Sequence, residues 1–201
     1  MKEFFIVSYS YTGHTHQIAQ AIHTLTGGDW CEIYPWQPYP MVFPELLEQV
    51  RKEIQTGYHP RLLPGTLNSK PYSVIFVGSP NWCGNIAPPL ASWLAKNDLS
   101  GKIILPFYSH CGGVPCNFHR EIARLCPRAD VRKELGILEN LGTDLPGILR
   151  DWLNQNGLQS LSDAYTGDQY KETVEKGKIN HVYERSGTIQ PAAGWSKEGA
   201  E

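Results

Sequence analysis

Nowhere in this 201-residue sequence does an apolar run approach the ~18 residues that a membrane-spanning helix needs, so no membrane partner is expected. Neither charge is in excess. The 18 Lys and Arg residues face 20 Asp and Glu, a formal net charge of −2, and the basic stripe that marks a nucleic-acid footprint is missing. The lysine-bearing phosphate loop of nucleotide triphosphatases is absent, and so is the Gly-x-Gly-x-x-Gly turn of nicotinamide dinucleotide folds. Cysteines are few and odd in number: Cys31, Cys83, Cys111, Cys116 and Cys126. Without Cys-x-x-Cys spacing they argue against a disulfide framework and against a redox dithiol. The opening apolar run Phe4–Val7 meets Ser8 and Tyr9 with no small-residue cleavage site. No secretory leader is therefore expected, and the expected location is cytoplasmic.

What is present is a packed α/β pattern. Hydrophobic residues make up 41% and aromatics 11%, enough for a core that needs no staples. Residues 3–9 read as a first strand, followed by a Ser/Thr/Gly turn. A helical stripe follows at Ile18, Ala21, Ile22 and Leu25 and closes at Gly27-Gly28. Trp30–Trp36 reads as a second strand. A second helix carries Phe43, Leu46, Leu47, Val50 and Ile54. The runs Ser73–Val77 and Lys102–Tyr108 are continuous apolar strands, the mark of strands buried on both faces. Helices are expected over Pro88–Lys96 and Pro115–Cys126, a weaker fifth strand over Val131–Leu138, and a last helix capped by Thr143 or Asp144. Its apolar face is Leu145, Ile148, Leu149 and Trp152.

Five strand–helix repeats predict a doubly wound parallel sheet of order 2-1-3-4-5 with helices on both faces. Ligands of such sheets sit at the carboxyl ends of the strands, beside the switch point between strands 1 and 3. The expected domain spans residues 1–157. Residues 158–201, with 5 basic and 7 acidic residues, lack strong periodicity and read as a C-terminal extension that wraps the surface, covers the ligand or makes dimer contacts.

Three loops should meet at that edge. Ser10-Tyr11-Thr12-Gly13-His14-Thr15 offers hydroxyls and a permissive glycine directly before a helix, where backbone N–H groups and the helix dipole favour a phosphate. It holds no lysine or arginine, so neutral donors would carry the anion. An ordinary Ser/Thr-capped turn is the alternative. Gly78-Ser79-Pro80-Asn81-Trp82-Cys83-Gly84-Asn85 places a flat ring, Trp82, where it suits stacking on an isoalloxazine, unless it simply anchors the loop in the core. Gly84 brings a peptide that can reorient to present a carbonyl to the flavin N5. Ser109-His110-Cys111-Gly112-Gly113 lets backbone N–H groups approach the pyrimidine end of such a ring.

Together these loops resemble the flavodoxin family. Ser10-Tyr11-Thr12-Gly13-His14-Thr15 matches its Ser/Thr-x-Thr-Gly-x-Thr phosphate loop. Gly78-Ser79-Pro80-Asn81-Trp82-Cys83-Gly84 with Ala87-Pro88-Pro89 is similar to the Gly-x-Pro-x-Trp-x-Gly…Pro-Pro run of a bacterial subgroup, as is the insertion from Pro35 to Pro64. Pro106 to Gly113 is similar to its third loop, where Thr-His-Gly-Gly is more usual. The resemblance covers residues 3–156. It implies a bound FMN cycling between oxidised, semiquinone and hydroquinone states. It implies an electron carrier that serves a redox partner protein or a small-molecule acceptor, as a monomer or homodimer. No residue need act as an acid or base. Three departures stand out: the body lacks the usual acidity, Cys111 stands where glycine is common, and the third loop has no stacking aromatic, Tyr108 preceding it on the strand.

Two other readings remain open, an FMN-dependent NAD(P)H reductase of quinones or other small acceptors and a flavin-free interaction module on the same fold. Other signals are weaker. His110, Cys111, Cys116 and His119 do not match a common zinc spacing. His14 and His16 flank the phosphate loop, where a dianion would favour their charged forms, or else they face solvent. Arg51, Lys52 and Arg61 read as a solvated face, and Cys83 is the cysteine expected to be exposed.

Overall fold

Continuous apolar runs become the middle of the sheet. The computed structural model describes residues 2–65, 67–112, 116–139 and 144–158. In it β1 (Lys2–Ser8), β3 (Tyr72–Trp82) and β5 (Ile103–His110) lie side by side and parallel, β1 flanked on its other edge by β2 (Asp29–Glu32). Phe5, Ile6, Val7, Ile75, Phe76, Val77, Ile104 and Leu105 are fully buried because both faces are covered. On one face α1 (His14–Thr26) and α5 (Leu145–Gln155) pack over Ile6, Phe76 and Phe107. On the other lie α2 (Phe43–Thr56), α3 (Pro88–Lys96) and α4 (Phe118–Leu125), over Phe5, Ile75 and Ile104. Counting the principal strands in chain order, the sheet runs 2-1-3-4-5, as expected.

The differences from expectation have local causes. The second strand ends at Glu32 rather than Trp36. Pro35 has no N–H for the ladder and instead bridges Leu62, closing the neck of the insertion, with Trp36 N–H donating to the Arg61 carbonyl at 2.7 Å. Arg61 is exposed, as expected of a solvated face, and lies over the Trp36 ring at 4.4 Å. The fifth strand is split into β6 (Asp130–Val131) and β7 (Leu135–Leu138), both paired to β5. Between them the Lys133 backbone turns to α5: its N–H donates to the Asn156 side chain at 3.0 Å and its carbonyl accepts from the Trp152 indole at 2.7 Å. Phe43, expected on the buried face of α2, is 69% exposed, while Glu53 is buried in its stead. The fourth helix begins at Phe118; Pro115 lies outside the described residues, as do Thr143 and residues 159–201. Asp144 caps α5, accepting from Gly147 N–H at 3.1 Å.

The largest difference is in β3. The sequence reading ended this strand at Val77, yet it continues to Trp82. Gly78, Ser79 and Pro80 still pair with Phe107, Tyr108 and Ser109, and Asn81-Trp82 then fold back as a hairpin on β4 (Asn85–Ile86). Cys83 and Gly84 have φ of 53° and 79°, the two left-handed positions that a tight two-residue hairpin turn requires. A Cβ on Gly78 would lie 2.1 Å from the Phe107 ring, so only glycine lets β3 and the buried phenyl coexist. Gly78→Ala should therefore lower stability by about 1–3 kcal/mol through overpacking, read as a fall in the urea midpoint at unchanged slope.

Candidate functional site

The carboxyl ends of β1, β3 and β5 open beside the β1/β3 switch point, and all three expected loops are there. In the first loop Gly13 caps α1 at φ 94°, without a side chain to block the helix end and with no acidic residue in the first turn. Ser10 Oγ accepts from His16 N–H at 3.1 Å and holds that turn. Thr12 is exposed at the tip, its hydroxyl 2.9 Å from His14 Nδ1. Thr15 is buried, and its hydroxyl shares a hydrogen bond with Ser109 at 2.9 Å. The three hydroxyls thus divide: Thr15 ties α1 to β5, Ser10 braces the turn, and Thr12 faces outward. With His16 N–H given to Ser10, the remaining N–H groups of the terminus and its positive dipole end meet no carboxylate of the first turn, which suits an anion.

Pro80 is buried at the root of the second loop, and Asn81 and Trp82 are half-buried on its hairpin. The Trp82 ring meets three tyrosines edge-on: Tyr39 at 4.9 Å, Tyr9 at 5.5 Å and Tyr11 at 5.6 Å. Strand and insertion packing therefore account for part of this ring, more than its loop composition suggested. Tyr11 donates to the Pro40 carbonyl at 2.6 Å, and Tyr39 donates to buried Glu53 at 2.5 Å, so the insertion after β2 forms the back wall. Burial, then the Glu53 contact, pushes the Tyr39 phenol far above its ordinary value, so Tyr39 stays a donor. Asn81 Oδ1 is buried without a hydrogen-bond partner. An unpaired buried acceptor costs about 1–3 kcal/mol, so this atom fits a donor brought by a ligand. The Gly84 carbonyl accepts from Asn117 N–H at 2.8 Å, so reorienting it would break a tie to α4. The Cys83 carbonyl is held by the Asn85 side-chain amide at 3.1 Å.

In the third loop Ser109 is buried and committed to Thr15, and His110 Nδ1 accepts from Gly112 N–H at 3.1 Å. Gly112 is left-handed at φ 94°; Gly113 lies outside the described residues. Tyr108 packs on Phe118 at 4.6 Å, facing α4, and burial above all pushes its phenol up to about 12. Cys111 is exposed, and its thiol donates to Glu139 at 3.2 Å. Glu139 also lies 3.3 Å from His14, and His16 is 3.0 Å from Glu32, so each histidine has a carboxylate partner. Sequence reasoning missed Glu139, Tyr9, Tyr39 and Asn117. Tyr9 adjoins the first loop but read as the end of the first strand, and the other three lie outside the loop motifs, so no spacing signal marked them.

With this geometry the molecule is a doubly wound α/β protein with three loops gathered at the carboxyl edge of its sheet. The flavodoxin family model matches residues 3–156, and the chain belongs to the flavodoxin family. Among solved structures it is similar to a protein of Bacteroides eggerthii DSM 20697 classed as a flavoprotein, with 25% identity, TM-score 0.65, and 76% of this chain and 96% of that one covered. It also resembles a flavoprotein from Lactobacillus acidophilus NCFM in complex with FMN, at 18% identity and TM-score 0.61, covering 68% and 93% of the two chains. No curated protein sequence matches it. No helix among the described residues is long and apolar enough to cross a membrane.

The thiols should separate by environment. Burial pushes Cys116 and Cys126 up to about 11, whereas Cys83 is exposed on the hairpin turn. Alkylation at about pH 8 followed by peptide mapping should modify Cys83 first, and Cys116 labelling should climb only as pH approaches the raised value.

Proposed function

We propose that this chain binds one FMN non-covalently and serves as an electron-transfer protein. The observation that carries the reading is the junction of an unblocked helix N-terminus with the Trp82 hairpin at one sheet edge. The donor set suits the cofactor. Backbone N–H groups at Gly13, His14 and Thr15, with the Ser10 and Thr12 hydroxyls, would hold the phosphate without a cation. Trp82 would offer its ring to the isoalloxazine, and Asn81 its unpaired oxygen to an N–H of the flavin. Tyr11 lies beside Trp82, and Pro80, Cys83 and Gly84 shape that loop. Ser109, His110, Cys111, Gly112 and Gly113 would border the pyrimidine edge.

The flavin supplies the chemistry, taking up and returning electrons one or two at a time. The protein's residues bind, orient and exclude water. The aromatic wall of Tyr9, Tyr39 and Trp82 would exclude water from one side of a bound ring, which the hairpin would face. The L. acidophilus relative, solved with FMN, supports the choice of cofactor.

A titration of the purified chain with FMN, followed by stepwise dithionite reduction, tests this. Expected are a bound yellow chromophore at one per chain and reduction in resolved stages; no binding at micromolar FMN would sink the reading. Gly13→Val forces a side chain into φ 94°, strain that should weaken FMN binding about tenfold or more.

A second reading has one observation in its favour. Directly after Pro40, which anchors Tyr11, come Met41, Val42 and Phe43, exposed by 93%, 55% and 69%. An apolar rim in place of an acidic one suits a small apolar acceptor, as in a two-electron NAD(P)H reductase of quinones. That reading requires NAD(P)H alone to bleach the bound flavin in a single stage. A carrier waits for a partner protein.

A further inference from the structure

Glu139 stands where two lips of the site meet. It follows β7, and its N–H donates to the His110 carbonyl at 2.8 Å, so its backbone is in register with the third loop. Its side chain, 15% exposed, has one oxygen in two contacts: the Cys111 thiol donates to it at 3.2 Å, and His14 Nδ1 lies 3.3 Å away. His14 is in turn 2.9 Å from the Thr12 hydroxyl. His14 Nδ1 thus lies between the Thr12 hydroxyl and the Glu139 carboxylate, and the Cys111 thiol of the third loop is hydrogen-bonded to that same carboxylate oxygen. Neither loop contains a lysine or arginine. The carboxylate therefore adds negative charge to a site read as holding a phosphate and a ring that gains charge on reduction.

We propose that Glu139 is a positioning residue that locks the third loop to the phosphate loop through Cys111 and His14, and that its charge makes the bound flavin harder to reduce. The proposal rests on the FMN reading above. It also gives Cys111 a place: a thiol can donate to Glu139 where a glycine would leave the carboxylate without that partner. The hydrogen bond to Glu139 first, then partial burial and the carboxylate's charge, hold this thiol above its ordinary range. Cys111 thereby reports on the contact without any flavin present.

The test uses the full chain and two variants, E139Q and E139A, in two arms. In the first, without flavin, iodoacetamide labelling at about pH 8 is followed by peptide mapping, with Cys83 as the internal reference. Both variants should speed Cys111 labelling severalfold relative to Cys83; an unchanged ratio overturns the lock. In the second, FMN affinity and midpoint potential of the parent and both variants are measured in one buffer. E139Q, which keeps an acceptor but not the charge, should hold affinity and raise the potential. E139A should weaken FMN binding about tenfold or more. An E139Q potential that stays or falls, or E139A binding like the parent, overturns the proposal. A parent that takes up no FMN while Cys111 still responds overturns the flavin reading and the tuning role together. FMN uptake with an unresponsive Cys111 overturns this proposal alone.

Discussion

Strand β3 runs for 11 residues from the base of the sheet past its carboxyl edge, and the remainder of the molecule is arranged by what it touches on the way. Its first half is buried between β1 and β5 with helices over both faces, so its register is locked by the core. Its second half leaves the core without ending. Gly78 lets the Phe107 ring close over it, and the chain then projects as a hairpin bearing Asn81 and Trp82. The Trp82 ring is thus mounted on a strand paired on both sides and buried between two helix layers. A site built on such an element holds its geometry better than one built on a free loop.

Polar contacts then join what β3 separates. Thr15 on α1 and Ser109 on β5 share a buried hydrogen bond, so the first and third loops are tied beneath the site as well as at its surface. Because both groups are neutral, this tie carries none of the desolvation cost that a buried ion pair would. The balance of charge in the loops follows from the same choice. The first turn of α1 has no carboxylate of its own, and the carboxylates that do approach, Glu32 and Glu139, arrive paired with His16 and His14. Met41, Val42 and Phe43, beside the Pro40 carbonyl that Tyr11 bonds, are exposed and form an apolar rim.

Much of this was legible beforehand, for physical reasons that can be named. A strand covered on both faces must be apolar at every position, so Ser73–Val77 and Lys102–Tyr108 announced themselves, and with them the parallel sheet. Glycine and hydroxyl residues before a helical stripe marked the α1 terminus, because few other residues tolerate that turn. Local patterns could not show where backbone groups from remote segments would meet. The break in the fifth strand depends on Trp152 and Asn156, some twenty residues away, claiming the Lys133 backbone. The extension of β3 depends on Phe107 and β4, and the composition of Gly78–Asn85 reads as a loop unless those partners are known.

By itself, then, the sequence determined the doubly wound sheet, its strand order, and the three loops at its carboxyl edge. Each follows from periodicity or from backbone freedom, properties a short segment carries alone. Only the tertiary structure decided that Trp82 sits in a cage of Tyr9, Tyr11 and Tyr39, that Asn81 is left with an unpaired oxygen, and that Glu139 joins His14 to Cys111. Those are contacts between residues far apart in the chain. Their existence depends on the angle at which strands, hairpin and insertion converge, which no window of the sequence encodes.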